Sequence, residues 1–164
     1  MFKKISLALF AIGLALGIGY FVYNRFRVAP DVSFTSLKAN SLSGESYSFS
    51  SSSDKSHIIL FFATWCIDCR RELPVLQKQT ELLNKLNIEV VLLSDEETST
   101  LIKFNPTIGE PFKLLKLEGS FKDNQIYTLP TAFLYCKSGK LHTSKVGAID
   151  WTPEFLRAFA GNCK

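Results

Sequence analysis

Two short apolar runs on either side of a helix-like segment constrain this fold most strongly. The runs are Ile58–Ala63 (IILFFA) and Ile88–Leu93 (IEVVLL), both rich in β-branched or aromatic residues. Apolar runs that do not alternate with polar residues are typical of central strands covered on both faces. Residues 67–87 between them have helical composition, and Pro74 predicts a kink there. The sequence therefore predicts a strand–helix–strand unit at the centre of an α/β domain.

The carboxyl-terminal part of the chain predicts a hairpin followed by a helix. Thr131–Cys136 and Leu141–Val146 are strand-like and flank the turn sequence Lys-Ser-Gly-Lys. Thr152, Pro153 and Glu154 are residue types favoured at the N-cap and first turn of a helix. A last helix is therefore predicted from this point to about residue 160.

Residues 94–128 are less regular. Two stretches within them have helical composition, Glu97–Phe104 and Phe121–Ile126, and we expect a short helix at each. Together with the elements above they fall within residues 32–164, which we expect to form one domain.

The amino-terminal segment differs in character from the rest. Ile5–Tyr23 is a run of 19 residues in which Ser6 is the only clearly polar side chain. As a helix, a run of this length crosses most of a ~30 Å hydrocarbon layer. We expect residues 5–23 to be a transmembrane anchor, residues 1–4 its cytoplasmic end and residues 24–31 a tether. A cleaved signal peptide is the alternative, and either interpretation predicts export of the domain.

The basic charge of the chain belongs to this amino-terminal segment. The formal net charge is +4, and the whole excess comes from four residues beside the apolar run: Lys3, Lys4, Arg25 and Arg27. The remaining basic residues equal the 15 acidic residues in number. The charge therefore indicates a membrane end, and we expect no nucleic-acid partner.

Two cysteines, Cys66 and Cys69, stand where the first predicted strand ends and the helix begins. Free N–H groups and a partial positive charge at the first turn of a helix favour a thiolate at Cys66. Cys69 follows about one turn later, so the pair can close a disulfide with little backbone movement. We expect Cys66 to be the exposed nucleophile and Cys69 the resolving thiol.

Two other uses of this cysteine pair are weaker interpretations. A zinc site commonly needs four ligands, whereas Cys136 and Cys163 are isolated from each other and the two histidines form no pair. A purely structural disulfide would close a very short loop and would stabilise the fold little. The sequence therefore favours a thiol–disulfide centre, and it predicts neither a metal nor a cofactor.

Several motifs resemble the thioredoxin-like superfamily, and more narrowly the membrane-anchored TlpA/ResA-type thiol–disulfide oxidoreductases of bacterial envelopes. The matching stretches, in family order, are Ala29-Pro30-Asp31, Phe62–Arg70, Glu72-Leu73-Pro74, Leu129-Pro130-Thr131 and Val146-Gly147. The resemblance implies a thioredoxin-like three-layer α/β fold, with a central mixed β-sheet flanked by helices and preceded by an N-terminal transmembrane helix. It also implies that Pro130 is a cis-proline facing the disulfide.

The resemblance further implies a groove beside the disulfide that receives the client polypeptide. The residues expected to line or support the groove are Trp65, Ile67, Asp68, Leu129, Pro130 and Gly147. The chain departs from many thioredoxins at Leu60, where they carry a buried acid, so proton handling must differ. Asp68, between the cysteines, opposes thiolate formation through its like charge. A less stable thiolate disfavours the reduced form, which lowers the reduction potential and makes the pair a better reductant.

The other two cysteines, Cys136 and Cys163, are candidates for a structural disulfide. In a thioredoxin-like layout, Cys136 ends the strand after the cis-proline and Cys163 follows the last helix. Both should then lie at the end of the domain opposite Cys66. A bridge would close a loop of roughly 27 residues and stabilise the fold by about 3 kcal/mol. The alternative is two unrelated thiols.

These features predict an envelope thiol–disulfide oxidoreductase that reduces disulfides in client proteins. By resemblance, apocytochrome c is a natural client, and a membrane electron donor of the thiol–disulfide type must re-reduce the pair. We expect an inner-membrane anchor with the domain on the periplasmic side. A dithiol oxidase or isomerase is one alternative, and a copper-binding metallochaperone is an alternative of another class.

Overall fold

The structure is a computed structural model that describes most of the chain. The described residues are 2–27, 29–30, 32–50, 54–105, 108–109 and 111–163. Within the first helix, side chains are described for residues 9–23. Val28 and Asp31, which belong to the predicted tether, lie outside the described residues.

The secondary structure of the described residues consists of helices and short strands. The helices are α1 (Phe2–Arg27), α2 (Ile67–Gln77), α3 (Thr80–Lys85), α4 (Thr98–Phe104) and α5 (Pro153–Asn162). The strands are β1 (Ala39–Asn40), β2 (Ser46–Tyr47), β3 (Ser56–Phe61), β4 (Ile88–Ser94), β5 (Phe112–Leu117), β6 (Thr131–Tyr135) and β7 (Leu141–Val146). A 3₁₀ helix covers Phe34–Ser36.

The strands form one mixed sheet in the order β2-β1-β5-β4-β3-β6-β7. β4 pairs in parallel with β3 and with β5, and the remaining neighbours pair antiparallel. The predicted strand–helix–strand unit is confirmed as β3, α2–α3 and β4. The predicted hairpin is confirmed as β6 and β7.

The central strands are buried because both faces of the sheet are covered. Ile58 and Leu60 of β3 pack in one core cluster with residues of α2, α3, α4 and α5. Ile59 and Phe61 pack in a second cluster with Phe34 of the 3₁₀ helix and with loop residues. Every residue of β3 and β4 is buried. The continuous apolar pattern of these two strands therefore follows from cover on both faces.

The predicted helix over residues 67–87 is divided in two. Pro74 lies inside α2, and the break falls at Lys78 and Gln79, before α3 begins. The Thr80 hydroxyl donates a hydrogen bond to the Gln77 carbonyl over 2.6 Å. This carbonyl would otherwise be an acceptor for a continuing helix, so the side chain helps to end α2.

The structure corrects the sequence-based prediction in one segment and confirms two others. No helix forms over Phe121–Ile126, where the chain makes a turn instead. The Asp123 carboxylate accepts hydrogen bonds from the N–H and hydroxyl of Ser120, both over 2.8 Å, and Gln125 has φ +58°. A left-handed residue cannot continue a right-handed helix. The helices predicted near residues 97–104 and from residue 153 are confirmed as α4 and α5.

The amino-terminal helix α1 covers the apolar run and continues to Arg27. Each side chain described on it, over residues 9–23, is exposed. Within the part of the chain that the structure describes, no helix combines the length and the apolar character that membrane crossing requires.

Candidate active site

Cys66 and Cys69 lie at the amino-terminal end of α2 and are joined by a disulfide. Cys66 is the N-cap residue, with extended backbone, and the helix begins at Ile67. The Cys69 N–H donates to Cys66 Sγ over 3.2 Å, and the two Cα atoms are 5.3 Å apart. Because the first turn of a helix carries free N–H groups and a partial positive charge, the same N–H would stabilise a thiolate at Cys66.

The two active-site cysteines differ in their access to solvent. Cys69 is fully buried, whereas 6% of Cys66 is exposed. Cys66 also lines an open cavity of about 460 Å³, and Cys69 does not. Cys66 is less exposed than the sequence predicts, because it is bonded to Cys69 and packs in the core cluster with α2. An incoming sulfur atom therefore reaches Cys66 before it reaches Cys69.

The cavity beside Cys66 has a largely apolar lining. Its lining residues are Trp65, Cys66, Ile67, Asp68, Phe121, Ile126, Tyr127 and Leu129. Trp65 and Ile67, on either side of Cys66, are 69% and 67% exposed. The structure thus brings four of the expected groove residues together, and it adds three residues from the turn after β5 that the sequence did not indicate.

Pro130 and Gly147 are not among the described lining residues of this cavity. The Leu129–Pro130 peptide bond is cis, as the resemblance implies. The Gly147 N–H donates to the Pro130 carbonyl over 2.8 Å. Gly147 has φ +88°, a conformation that favours glycine. These two residues therefore hold the backbone next to Leu129, which does line the cavity.

Two acidic side chains that follow β4 fix the loops around the site. The Glu96 carboxylate accepts from the N–H and the hydroxyl of Thr64, both over 2.6 Å, directly before Trp65. Asp95 accepts from the Phe121 N–H over 2.9 Å. These contacts position the loop that carries Trp65 and the turn that carries Phe121. They join residues 32 and 26 positions apart, so no local pattern indicates them.

A buried acid, Glu72, lies one helical turn beyond Cys69. Glu72 accepts a hydrogen bond at Oε1 from the indole N–H of Trp151, and the Ile149 backbone N–H also interacts with its carboxyl group. Burial raises the pKa of Glu72 to about 7, the Trp151 hydrogen bond acts in the opposite direction, and the charge of Asp68 adds to the increase. The site therefore contains a carboxyl group that can change protonation near neutral pH.

The burial of Glu72 beside the disulfide was not predicted, although the sequence carries a signal for it. Cys69, Glu72, Leu73 and Leu76 are spaced as one helix face, and all four are buried. An acidic residue on the apolar stripe of a helix is unusual, because burial of a carboxylate is unfavourable unless it is protonated or paired. Its position one turn after the second cysteine could have indicated a replacement for the acid absent at Leu60.

We expect Glu72→Gln to remove a pH dependence of stability. Glutamine keeps an acceptor for Trp151 but cannot ionise. Because the folded-state pKa is raised from 4.5 to about 7, the stabilising contribution is complete below pH 4.5 and is lost as the pH rises through about 7. The free energy of unfolding at pH 8 should fall by up to about 3 kcal/mol relative to pH 4.5 in the wild type, and this component should be absent from the variant.

Urea denaturation of both oxidised proteins across this pH range measures the difference. Glu81→Gln on α3 is the matched control, because Glu81 is exposed, and its profile should follow the wild type. Coincident pH profiles of the wild type and Glu72→Gln would contradict a buried, titrating carboxyl group.

A second disulfide joins Cys136 and Cys163, with 4.9 Å between their Cα atoms. Thr131 at the start of β6 pairs with Phe61, close to the active site, whereas Cys136 follows the other end of β6. Five residues of extended strand separate the two ends by roughly 17 Å. His142 lies beside Cys136 and Cys163, and this places it away from the Cys66–Cys69 pair.

Comparisons with known proteins agree with this geometry. The thioredoxin-like protein YneN of Bacillus subtilis is 30% identical over 125 residues, which cover 74% of this chain and 71% of YneN. The thiol-disulfide oxidoreductase ResA of Geobacillus kaustophilus is 26% identical over 141 residues, 78% of each chain. The crystal structure of a thioredoxin-family thiol:disulfide interchange protein from Chlorobium tepidum has the same fold, with a TM-score of 0.61 and 20% identity, over 82% of this chain and 99% of that one.

The match to a protein family covers most of the folded domain. Residues 27–143 match the AhpC/TSA family. This range contains β1 to β6, α2 and both active-site cysteines. The chain therefore belongs to the AhpC/TSA family and is a thioredoxin-like thiol–disulfide oxidoreductase, with a disulfide between Cys66 and Cys69.

Proposed function

We propose that this thiol–disulfide oxidoreductase reduces disulfides in client proteins of the bacterial envelope. One observation carries the proposal: the Cys66–Cys69 disulfide caps α2, and of its two residues only Cys66 lines the surface cavity. Cys66 can be reached from the cavity and Cys69 is buried behind it. This arrangement fits a centre that exchanges disulfides with another polypeptide.

The reaction follows from the positions of the two sulfurs. In the reduced protein, the Cys66 thiolate attacks one sulfur of a client disulfide, which forms a mixed disulfide and releases the other client sulfur as a thiolate. The Cys69 thiol loses its proton and attacks Cys66 Sγ. The client leaves as a dithiol, and two electrons have passed to it from the Cys66–Cys69 pair.

Glu72 is our candidate for the group that accepts the Cys69 proton. It is buried on the same face of α2 as Cys69, one turn away. Its raised pKa of about 7 supports this role, because a proton acceptor works best when its pKa is near the operating pH. Trp151 would hold the carboxyl group in place through its indole N–H.

The cavity beside Cys66 is the proposed client groove. Its apolar lining, from Trp65 and Leu129 to the turn that carries Phe121 and Tyr127, suits an extended client segment with an apolar side chain near its cysteine. Ile67 and Asp68 would flank the attacking sulfur. The cis Leu129–Pro130 peptide and Gly147 would hold the backbone on the other side of the client.

The reduction potential of the Cys66–Cys69 couple tests the proposed direction. We expect a value near or below about −270 mV, as in thioredoxin, together with reduction of insulin disulfides. Redox titration against a glutathione or dithiothreitol buffer, followed by thiol alkylation, gives the potential. A value near about −120 mV would instead identify a dithiol oxidase.

We further propose that residues 5–23 anchor the protein in the inner membrane. Residues 1–4 would be cytoplasmic, residues 24–31 a tether and residues 32–164 the periplasmic domain. The 19-residue apolar run of the sequence supports this proposal, and so does the exposure of the apolar side chains described over residues 9–23, which would be covered by lipid.

Apocytochrome c is the proposed client and a membrane thiol–disulfide donor the proposed reductant. The support is the similarity to ResA, one of the matched relatives, together with the family resemblance of the motifs. A Cys69→Ser variant should retain the client as a mixed disulfide on Cys66, and mass spectrometry of that adduct identifies the client directly.

A further inference from the structure

Three potential metal ligands meet at the end of the domain opposite the active site. The sulfur atoms of Cys136 and Cys163 and a ring nitrogen of His142 lie within 4.8 Å of one another. Cys163 is buried, Cys136 is partly buried and His142 is exposed. The three residues are far apart in sequence, so the fold itself assembles the group.

Each of the three residues is held by a different part of the fold. Cys136 begins the hairpin turn, in which its N–H donates to the Lys140 carbonyl over 2.9 Å. His142 is on β7, and its ring packs against Phe159 with 5.7 Å between the ring centroids. Cys163 is the C-cap residue of α5. The side chains would therefore stay close together without the covalent bond between the sulfurs.

A basic cavity of about 740 Å³ adjoins the two sulfurs. Cys136 and Cys163 both line it, and its charged lining residues among those described are Lys85, Lys137, Lys140 and Arg157. Arg157 also lies 3.8 Å from the Glu154 carboxylate. The cavity gives small reagents access to the sulfurs, and the positive charges favour thiolates over thiols.

We propose that Cys136, Cys163 and His142 form a Cu(I) site when the second disulfide is reduced. An external dithiol supplies two electrons and two protons, becomes a disulfide itself and leaves two thiols at Cys136 and Cys163. Binding of Cu(I) then displaces the thiol protons. Two thiolates and one imidazole are soft or intermediate ligands, which suit Cu(I).

The surrounding charge favours a monovalent ion. Two thiolates and one Cu(I) leave a net charge of −1, which the four basic side chains offset. Zinc prefers four ligands, whereas this group offers three. The site is separate from the Cys66–Cys69 centre, so it does not depend on the reductase function proposed above.

A Cys66→Ser/Cys69→Ser background isolates the site for measurement. The full chain, purified in detergent, is reduced with a phosphine, freed of reductant under anaerobic conditions and titrated with Cu(I) against a chromogenic Cu(I) chelator. We expect one Cu(I) per chain. Cys136→Ser should abolish binding that competes with the chelator. His142→Ala should weaken binding by at least about tenfold, because loss of a ligand should cost no less than loss of an outer-shell partner, for which tenfold is the lower end.

Two controls separate this site from adventitious binding. The same protein with the Cys136–Cys163 disulfide intact should bind no Cu(I). His57→Gln removes the other histidine, which packs against Phe34 in the core on the other face of the sheet, and should leave the affinity unchanged. The proposal is overturned if the reduced protein does not compete with the chelator, if Cys136→Ser or His142→Ala binds as before, or if Zn²⁺ displaces Cu(I) at equal concentration.

Discussion

The insulin-disulfide reductase activity of a Cys66→Ser variant is expected to be lower than that of the wild type by on the order of 10³-fold or more. Removal of a nucleophile eliminates the covalent path, and only background exchange remains. Cys66 is also the member of the pair that lines the cavity, so Cys69 has no direct route to a client. The rate of insulin reduction with dithiothreitol as donor, compared with the wild type, gives the measurement.

Cys69→Ser is the matched control for this prediction. Both variants lack the same active-site disulfide, so any loss of stability is shared between them. Only Cys69→Ser should accumulate a mixed disulfide with a client, because Cys66 can attack and nothing resolves the product. Non-reducing electrophoresis and mass spectrometry would detect the adduct. An active Cys66→Ser protein, or an adduct in Cys66→Ser but not in Cys69→Ser, would contradict the assigned roles.

Removal of the second disulfide is expected to have the largest effect on stability. In a Cys136→Ala/Cys163→Ala variant, the free energy of unfolding should fall by about 3 kcal/mol, since the bridge closes a loop with a sequence separation of 27. The loss arises mainly because the unfolded chain gains conformational freedom. Urea denaturation of the oxidised proteins should show a lower midpoint, while the insulin-reductase rate at 25 °C is retained.

Cys66→Ala/Cys69→Ala provides the comparison for this stability measurement. Its bridge spans a sequence separation of only 3, so its removal should destabilise the protein less. If the Cys136→Ala/Cys163→Ala variant lost less stability than this control, the distant bridge would not constrain the unfolded chain as proposed.

The parts of the fold that the sequence predicted are those with a local physical signature. β3 and β4 are covered on both faces, so their apolar character is continuous and independent of sheet register. The Cys66–Cys69 disulfide was predictable because the two cysteines are about one helical turn apart. The hairpin and the start of α5 depend on turn and cap residues, and Thr152 does accept from the Phe155 N–H over 3.2 Å.

The parts that were missed depend on contacts between distant residues. β5 has only a partly alternating pattern and is recognised as a strand through its pairing with β4 and β1. The stretch Phe121–Ile126 has helical composition, yet Asp95 accepts from the Phe121 N–H and Asp123 accepts from the N–H of Ser120, directly before the stretch, and these bonds hold it as a turn. The partner of Glu72, Trp151, is 79 positions away.

The sulfur–sulfur bond between Cys136 and Cys163 also closes residues 136–163 into a covalent ring. A protease that cuts one peptide bond between these residues would leave both pieces attached. The ring includes Trp151, the residue that binds Glu72, so one such nick cannot release this support of the active site from the domain.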